Sequence, residues 1–248
     1  MTASKSTAAS TAEEVRRRIE AGGERFWRLA DFDDLPFPTA VAKALSRLAH
    51  RRHLRRLSRG VYCRARTTTF GDSLPNPAAL QQLAGERAPV FPAGLAAANL
   101  LGFSTQTPRT QEVATTATSL PRALLGAGTV VHTRRPKAWV QLTHEDAALL
   151  DLLRERGRTS ELSPEATTQR VLAQLGDGDR FARLVRVAAT EPPRVRALLG
   201  AFGQVLRAPD ESLLRLRRSL NPLSRFEFGV FGVLPTAEAW QAKTRRVA

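Results

Sequence analysis

The chain has 248 residues, 42% hydrophobic and 25% charged, which suits one large or two small globular domains and excludes wholesale disorder. Lys and Arg total 38 against 23 Asp and Glu, for a net charge of +15 and a pI near 11.5, so a polyanion, nucleic acid first, is the expected partner. The single cysteine, Cys63, excludes an internal disulfide and a Cys-based zinc module, and the longest apolar run, Ala93 to Phe103, is too short for a membrane-spanning helix. The opening MTASKSTAASTAEEV is small and polar, without the apolar stretch of a secretory signal, so the expectation is a cytoplasmic protein with no membrane partner.

In chain order, residues 1–11 read as a disordered Ser/Thr/Ala tail, although Ser10 or Thr11 can cap a helix running to about Ala21, with Glu13 and Glu14 in its first turn and Gly22-Gly23 at its end. Phe26-Trp27 suits a short strand edge. Leu29 to Leu35 reads as a short second helix with Leu29, Phe32 and Leu35 facing inward. Pro38 can occupy the first turn of a third helix, in which Val41, Leu45 and Leu48 recur on one stripe. Leu54-Arg55-Arg56-Leu57 and Gly60-Val61-Tyr62-Cys63 are two strand-like runs about Ser58-Arg59. Three short helices and a hairpin make a winged helix-turn-helix, spanning 12–66.

The charge is concentrated there. Residues 1–66 hold 15 bases and 7 acids, and from Pro38 through Arg66 there are nine bases and no acid. Because regular apolar positions interleave that run, the charge is presented from a folded scaffold. Thr39, Lys43, Ser46, Arg47 and His50 fall on the exposed face of the third helix, where such side chains meet base edges. Arg51, Arg52, Arg55, Arg56, Ser58 and Arg59 lie at its end or on the wing, placed for phosphate.

The string VAKALSRLAHRRHLRRLSRGVYC, Val41 to Cys63, resembles the N-terminal winged helix of the abortive-infection E (AbiEi) type antitoxins of type IV toxin–antitoxin systems. The resemblance extends through LPNPAAL at 74–80, GLAAANLLGFSTQTP at 94–108 and EPPRVRALLGA at 191–201, and the closing NPLSRFEFGVFGVLPTAEAW at 221–240 resembles a subgroup of proteins related to these antitoxins. It implies a bacterial DNA-binding regulator that represses its own operon and opposes a nucleotidyltransferase-like toxin encoded beside it.

Beyond the hairpin, Pro75 and Pro77 mark a linker over 67–76, and the remainder, 77–248, reads as a mixed α/β domain with a helical C-terminal end, so the fold class is α+β. Helices are expected at Ala78–Ala88 and from Pro92-Ala93-Gly94 to Gly102. Strands are expected within Thr110–Ala117, Gly128–Thr133 and Ala138–Leu142. Further helices follow from Thr143, then at 164–175, 178–190, 192–206 and 210–219.

Catalytic and metal chemistry is sparse. No GxxxxGK[ST] loop occurs, and Gly126-Ala127-Gly128 lacks a third glycine. His50 and His53 have helical metal-ligand spacing, but no third ligand is near in sequence and Arg51 and Arg52 repel a cation. Asp177-Gly178-Asp179 is too short for a calcium loop. Cys63 reads as a small buried hydrophobe, and Trp27, Trp139 and Trp240 as core. The basic clusters Arg134, Arg135, Lys137 and Arg215, Arg217, Arg218 could touch DNA, an acidic toxin or nothing. The expected function is a non-enzymatic, cofactor-free repressor of double-stranded operator DNA, an antitoxin. Two alternatives stand beside it: a nucleic-acid-processing enzyme, for which Glu112 and Lys137 are the nearest candidates and no partner acid is evident, or an RNA-binding defence scaffold, which the low aromatic content of 6% disfavours.

Overall fold

Local cap and turn chemistry sets the boundaries of the elements. The computed structural model describes residues 10–23, 25–64, 67–68, 71–72, 83, 85, 88–120, 125 and 128–243. Residues 1–9 of the tail expected over 1–11, the LPNPAAL string, most of the helix at Ala78–Ala88, Arg66 and Gly126-Ala127 lie outside them, while Ser10 and Thr11 belong to the start of a helix. Two compact units divide the chain, Met1–Ala84 with Pro121–Ala127, and Gly85–Leu120 with Gly128–Ala248. The architecture is mixed α and β, and among the described residues no helix is long and apolar enough to cross a membrane.

In the first unit, α1 (Thr11–Gly22) starts at a capping box. The Glu13 N–H donates to the Ser10 hydroxyl, the Glu13 carboxylate accepts from the Ser10 N–H, and Gly23 ends the helix at φ 66°. β1 (Phe26–Arg28) leads into a single 3-10 turn, Leu29–Phe32, where a helix through Leu35 was expected. Pro36 and Pro38 each lack an N–H and push the preceding residue out of the helical region, and Asp34 is drawn off to Arg18 at 2.6 Å. Phe32 carries the burial, stacked on Trp27 with ring centroids 5.6 Å apart, while Leu29 and Leu35 are half-buried.

α2 (Pro38–His50) has Pro38 in its first turn and buries Val41, Ala44 and Leu45 against α1 and Trp27, with Leu48 half-buried. A fully buried aliphatic side chain contributes about 1.5–3 kcal/mol, so this stripe holds α2 on the core. β2 (Arg55–Ser58) and β3 (Val61–Cys63) turn at Arg59-Gly60, with Gly60 at φ 74°, and form an antiparallel sheet in the order β1-β3-β2. Phe26 lies opposite Cys63 and Trp27 opposite Tyr62; a bulge interrupts β2 between Arg56 and Ser58. In the stretch expected to be linker, β4 (Thr67–Thr68) and β5 (Gly71–Asp72) pair antiparallel, and the division between units falls later, at Ala84.

The second unit opens with β6 (Val90–Pro92), α3 (Gly94–Leu100), β7 (Glu112–Thr115) and β8 (Val130–His132). Its sheet order is β6-β7-β8, with β7 antiparallel to β6 and parallel to β8. The strand expected at Ala138–Leu142 is instead a 3-10 helix, Lys137–Gln141. In that conformation residues three apart share a face, so Trp139 and Leu142 are both buried while Val140 is left 58% exposed. Five helices follow: α4 (His144–Arg154), α5 (Pro164–Leu175), α6 (Arg180–Val187), α7 (Pro193–Val205) and α8 (Asp210–Arg218). Thr143 and Ser163 cap α4 and α5 through their hydroxyls. The core joins Trp139 and Leu149 to Phe202, Phe231 and Trp240. Trp240 lies directly on Gly200 and donates its Nε1–H to Gln204 Oε1 at 2.6 Å.

Candidate functional site

The face opposite the buried stripe of α2 is polar and basic. Thr39, Lys43, Ser46, Arg47 and His50 are all exposed, as the helical period requires once Val41 and Leu45 face inward. Beyond the last turn the chain reverses at Arg52, left-handed at φ 62°, whose N–H reaches the Ala49 carbonyl while the His53 N–H reaches Leu48. That reversal brings β2 back beside the helix. Lys43, Ser46, Arg47, Ala49, His50, Arg51 and Arg56 line one open groove of about 570 Å³. Arg52, Arg55 and Arg59 are exposed outside that lining, and Thr39 stands further along α2.

Two residues of the basic stretch are placed otherwise than their sequence suggests. Ser58 directs its hydroxyl inside, without a hydrogen-bond partner among the described residues, so it does not offer that group to a phosphate. Arg64 is half-buried and donates to the Ile19 and Glu20 carbonyls at 3.2 and 2.9 Å, tying β3 to the end of α1. No local signal separates Arg64 from its neighbours; only the packing of β3 against α1 does. Cys63 is buried, and burial pushes its thiol up from the ordinary value, as suits an inert core residue.

Charge is partitioned sharply within this unit. Arg16, Arg17 and Arg18 of α1 are bonded to Glu20, Glu14 and Asp34 at 2.6 to 2.8 Å. The Arg17 and Arg18 hydrogen bonds hold the Glu14 carboxyl down at about 2. Among the described residues, no acid forms an ion pair with Lys43, Arg47, Arg51 or Arg56. The α1 arginines are neutralised in place; among the described residues the groove arginines are not.

The second unit gathers acids the sequence keeps apart. His132 Nε2 lies 2.9 Å from Glu112 Oε2, both side chains 31% exposed. The Glu112 carboxylate packs on Gly94, whose N–H donates to Asp151 Oδ2 at 2.8 Å, and Arg135 Nη2 donates to Asp151 Oδ1 at 2.6 Å. Glu112 therefore does have an acid nearby, Asp151, though Asp151 has both oxygens engaged. Burial raises the Asp151 carboxyl above its ordinary value, opposed by Arg135. Lys137 is exposed on the 3-10 helix. Among the described residues, no three His, Cys, Asp or Glu side chains converge as a metal would need. His50 and His53 are exposed on and after α2.

The molecule is thus an α+β protein whose first unit presents a cationic groove between a helix and a strand, with no acid ion-paired to it among the described residues. Residues 17–160, from α1 to beyond α4, match the DUF6088 model, described as a family of unknown function, and the chain belongs to that family. No curated protein matches. Among solved structures, the Rv2827c protein from Mycobacterium tuberculosis is similar over 87% of this chain and 84% of that one, at 14% identity and a TM-score of 0.40.

Proposed function

We propose that the first unit is a winged helix-turn-helix that binds double-stranded operator DNA, and that the protein is a non-enzymatic transcriptional repressor. The observation that carries this reading is the acid-free groove of Lys43, Arg47, Arg51 and Arg56, set beside the fully paired arginines of α1. A helix the size of α2 fits the major groove, so Thr39, Lys43, Ser46, Arg47 and His50 would meet base edges. Arg51, Arg52, Arg55, Arg56 and Arg59 would hold the phosphates on either side. The resemblance of Val41–Cys63 to AbiEi-type antitoxins favours an autoregulated operon, with a nucleotidyltransferase-like toxin as the second partner and the cytoplasm as the compartment.

The test is affinity on a duplex selected from a random pool against a scrambled duplex of equal length. Arg47→Ala should cost roughly 1–3 kcal/mol on the selected duplex and relax preference at one or two base pairs. Equal losses on both duplexes would show that α2 is not the reader. Single-stranded RNA competing as well as duplex would favour the RNA-binding scaffold, and metal-dependent cleavage of the bound duplex would favour the enzyme.

A further inference from the structure

The α2 groove is concave as well as cationic, and the two properties together suit a compact anion better than an extended one. Its cations come from three consecutive segments: Lys43 and Arg47 from the exposed face of α2, Arg51 from the reversal after it, and Arg56 from β2. Ser46, Ala49 and His50 complete the lining.

A helix end ordinarily opposes an anion, because its last carbonyls carry the negative pole of the dipole. In α2 those carbonyls are hydrogen-bonded by the reversing backbone. Arg47 accepts from the Arg51 N–H at 3.0 Å, Leu48 from the His53 N–H at 3.0 Å and Ala49 from the Arg52 N–H at 3.1 Å. On the facing strand, Arg56 Nε donates to the Ser58 carbonyl at 3.3 Å, beside the bulge in β2. That bond holds the stem side of the guanidinium, and among the described residues its two terminal nitrogens have no partner.

Like charges around one concavity repel one another, and the repulsion is relieved most by an anion that meets all of them at once. Duplex DNA does not do this: in the reading above, Lys43 and Arg47 face base edges, and only Arg51 and Arg56 face phosphate. A chain of linked phosphates brings several negative charges into the concavity together, with oxygens that match forked guanidinium donors. The groove volume of about 570 Å³ lies within the roughly 300–1,000 Å³ of small-ligand sites.

We propose that the α2 groove also takes an oligophosphate, which competes with duplex DNA for Lys43, Arg47, Arg51 and Arg56. The binding stands on the groove alone; the competition rests on the DNA reading.

The probe is inorganic tripolyphosphate, titrated calorimetrically into the full chain without DNA, at an ionic strength held constant with chloride. One saturable site per chain is expected, roughly tenfold or more tighter than orthophosphate. Lys43→Ala and Arg56→Ala should each weaken it roughly tenfold. Lys43→Ala keeps α2 intact, because alanine is the best helix former. Arg16→Ala removes the same charge from the same unit, but Arg16 lies on α1, 2.8 Å from Glu20 and outside the lining, so affinity should stay within about twofold. Binding no tighter than orthophosphate, or an equal loss in all three variants, overturns the site.

Displacement of a labelled duplex over the concentrations of the direct titration supports the competition. A selected duplex that stays bound to the tripolyphosphate-saturated protein overturns it and leaves the DNA reading standing. Saturable tripolyphosphate binding by a chain that binds no duplex overturns the DNA reading and the competition, and supports the site. A nucleoside triphosphate that binds more tightly than tripolyphosphate identifies the source as a nucleotide; equal or weaker binding identifies it as an inorganic chain.

Discussion

The groove cations set a number that salt titration can read. Each phosphate neutralised by Lys or Arg releases counterions and adds about −0.9 to the slope of log affinity against log salt on duplex DNA. Of the groove cations, Arg51 and Arg56 are the ones assigned to phosphate, and they alone give a slope of about −1.8. If Arg52, Arg55 and Arg59 also reach the backbone, the slope steepens to about −4.5. Between roughly 50 and 200 mM salt these limits correspond to losses of about 10-fold and about 500-fold. Arg56→Ala should bring the slope closer to zero by about 0.9 and weaken selected and scrambled duplexes alike, since a strand-borne arginine on phosphate carries no base information. Fluorescence anisotropy of a labelled duplex over a salt series measures both quantities. A slope shallower than about −1, or one that Arg56→Ala leaves unchanged, would refute the assignment of this groove to the DNA backbone.

Stability offers three independent checks. Gly200→Ala would place a Cβ 2.1 Å from the Trp240 ring, which is pinned by Gln204 and by Arg217 at 4.4 Å and cannot retreat; a loss of about 1–3 kcal/mol is expected by thermal unfolding, whereas Gly232→Ala, with nothing within 4 Å, should be near neutral. Asp151→Asn removes the partner of the largely buried Arg135 and sets an amide donor against either Arg135 or the Gly94 N–H, so chemical denaturation should show a loss of about 3–5 kcal/mol. Glu14 is depressed to about 2 from 4.5, so the stability it contributes is present above pH 4.5 and is lost as the pH falls through 2. Glu14→Gln should flatten the acid limb of the midpoint-versus-pH curve in that window; an unchanged limb would show that the Arg17 and Arg18 bonds do not stabilise α1.

What the sequence by itself determined is what short-range chemistry can encode. Ser10 with Glu13, Pro38 before the Val41-Leu45 stripe, Ser163-Pro164, and Gly60 at the hairpin each act within four residues, so α1, α2, α5 and the β2–β3 turn are legible at their places. The exposed face of α2 follows from the same periodicity once its buried stripe is known. Only the tertiary structure decided which charges are neutralised and which remain available. Arg64 and Arg55 look alike in sequence, yet β3 packs Arg64 against the carbonyl end of α1 and β2 leaves Arg55 exposed. Likewise β7 and β8 set His132 on Glu112, α4 sets Asp151 on the Gly94 N–H and Arg135, and Trp139 donates to Glu191 far along in sequence. A charge's partner is set by whichever distant element shares its burial, and no local period carries that information.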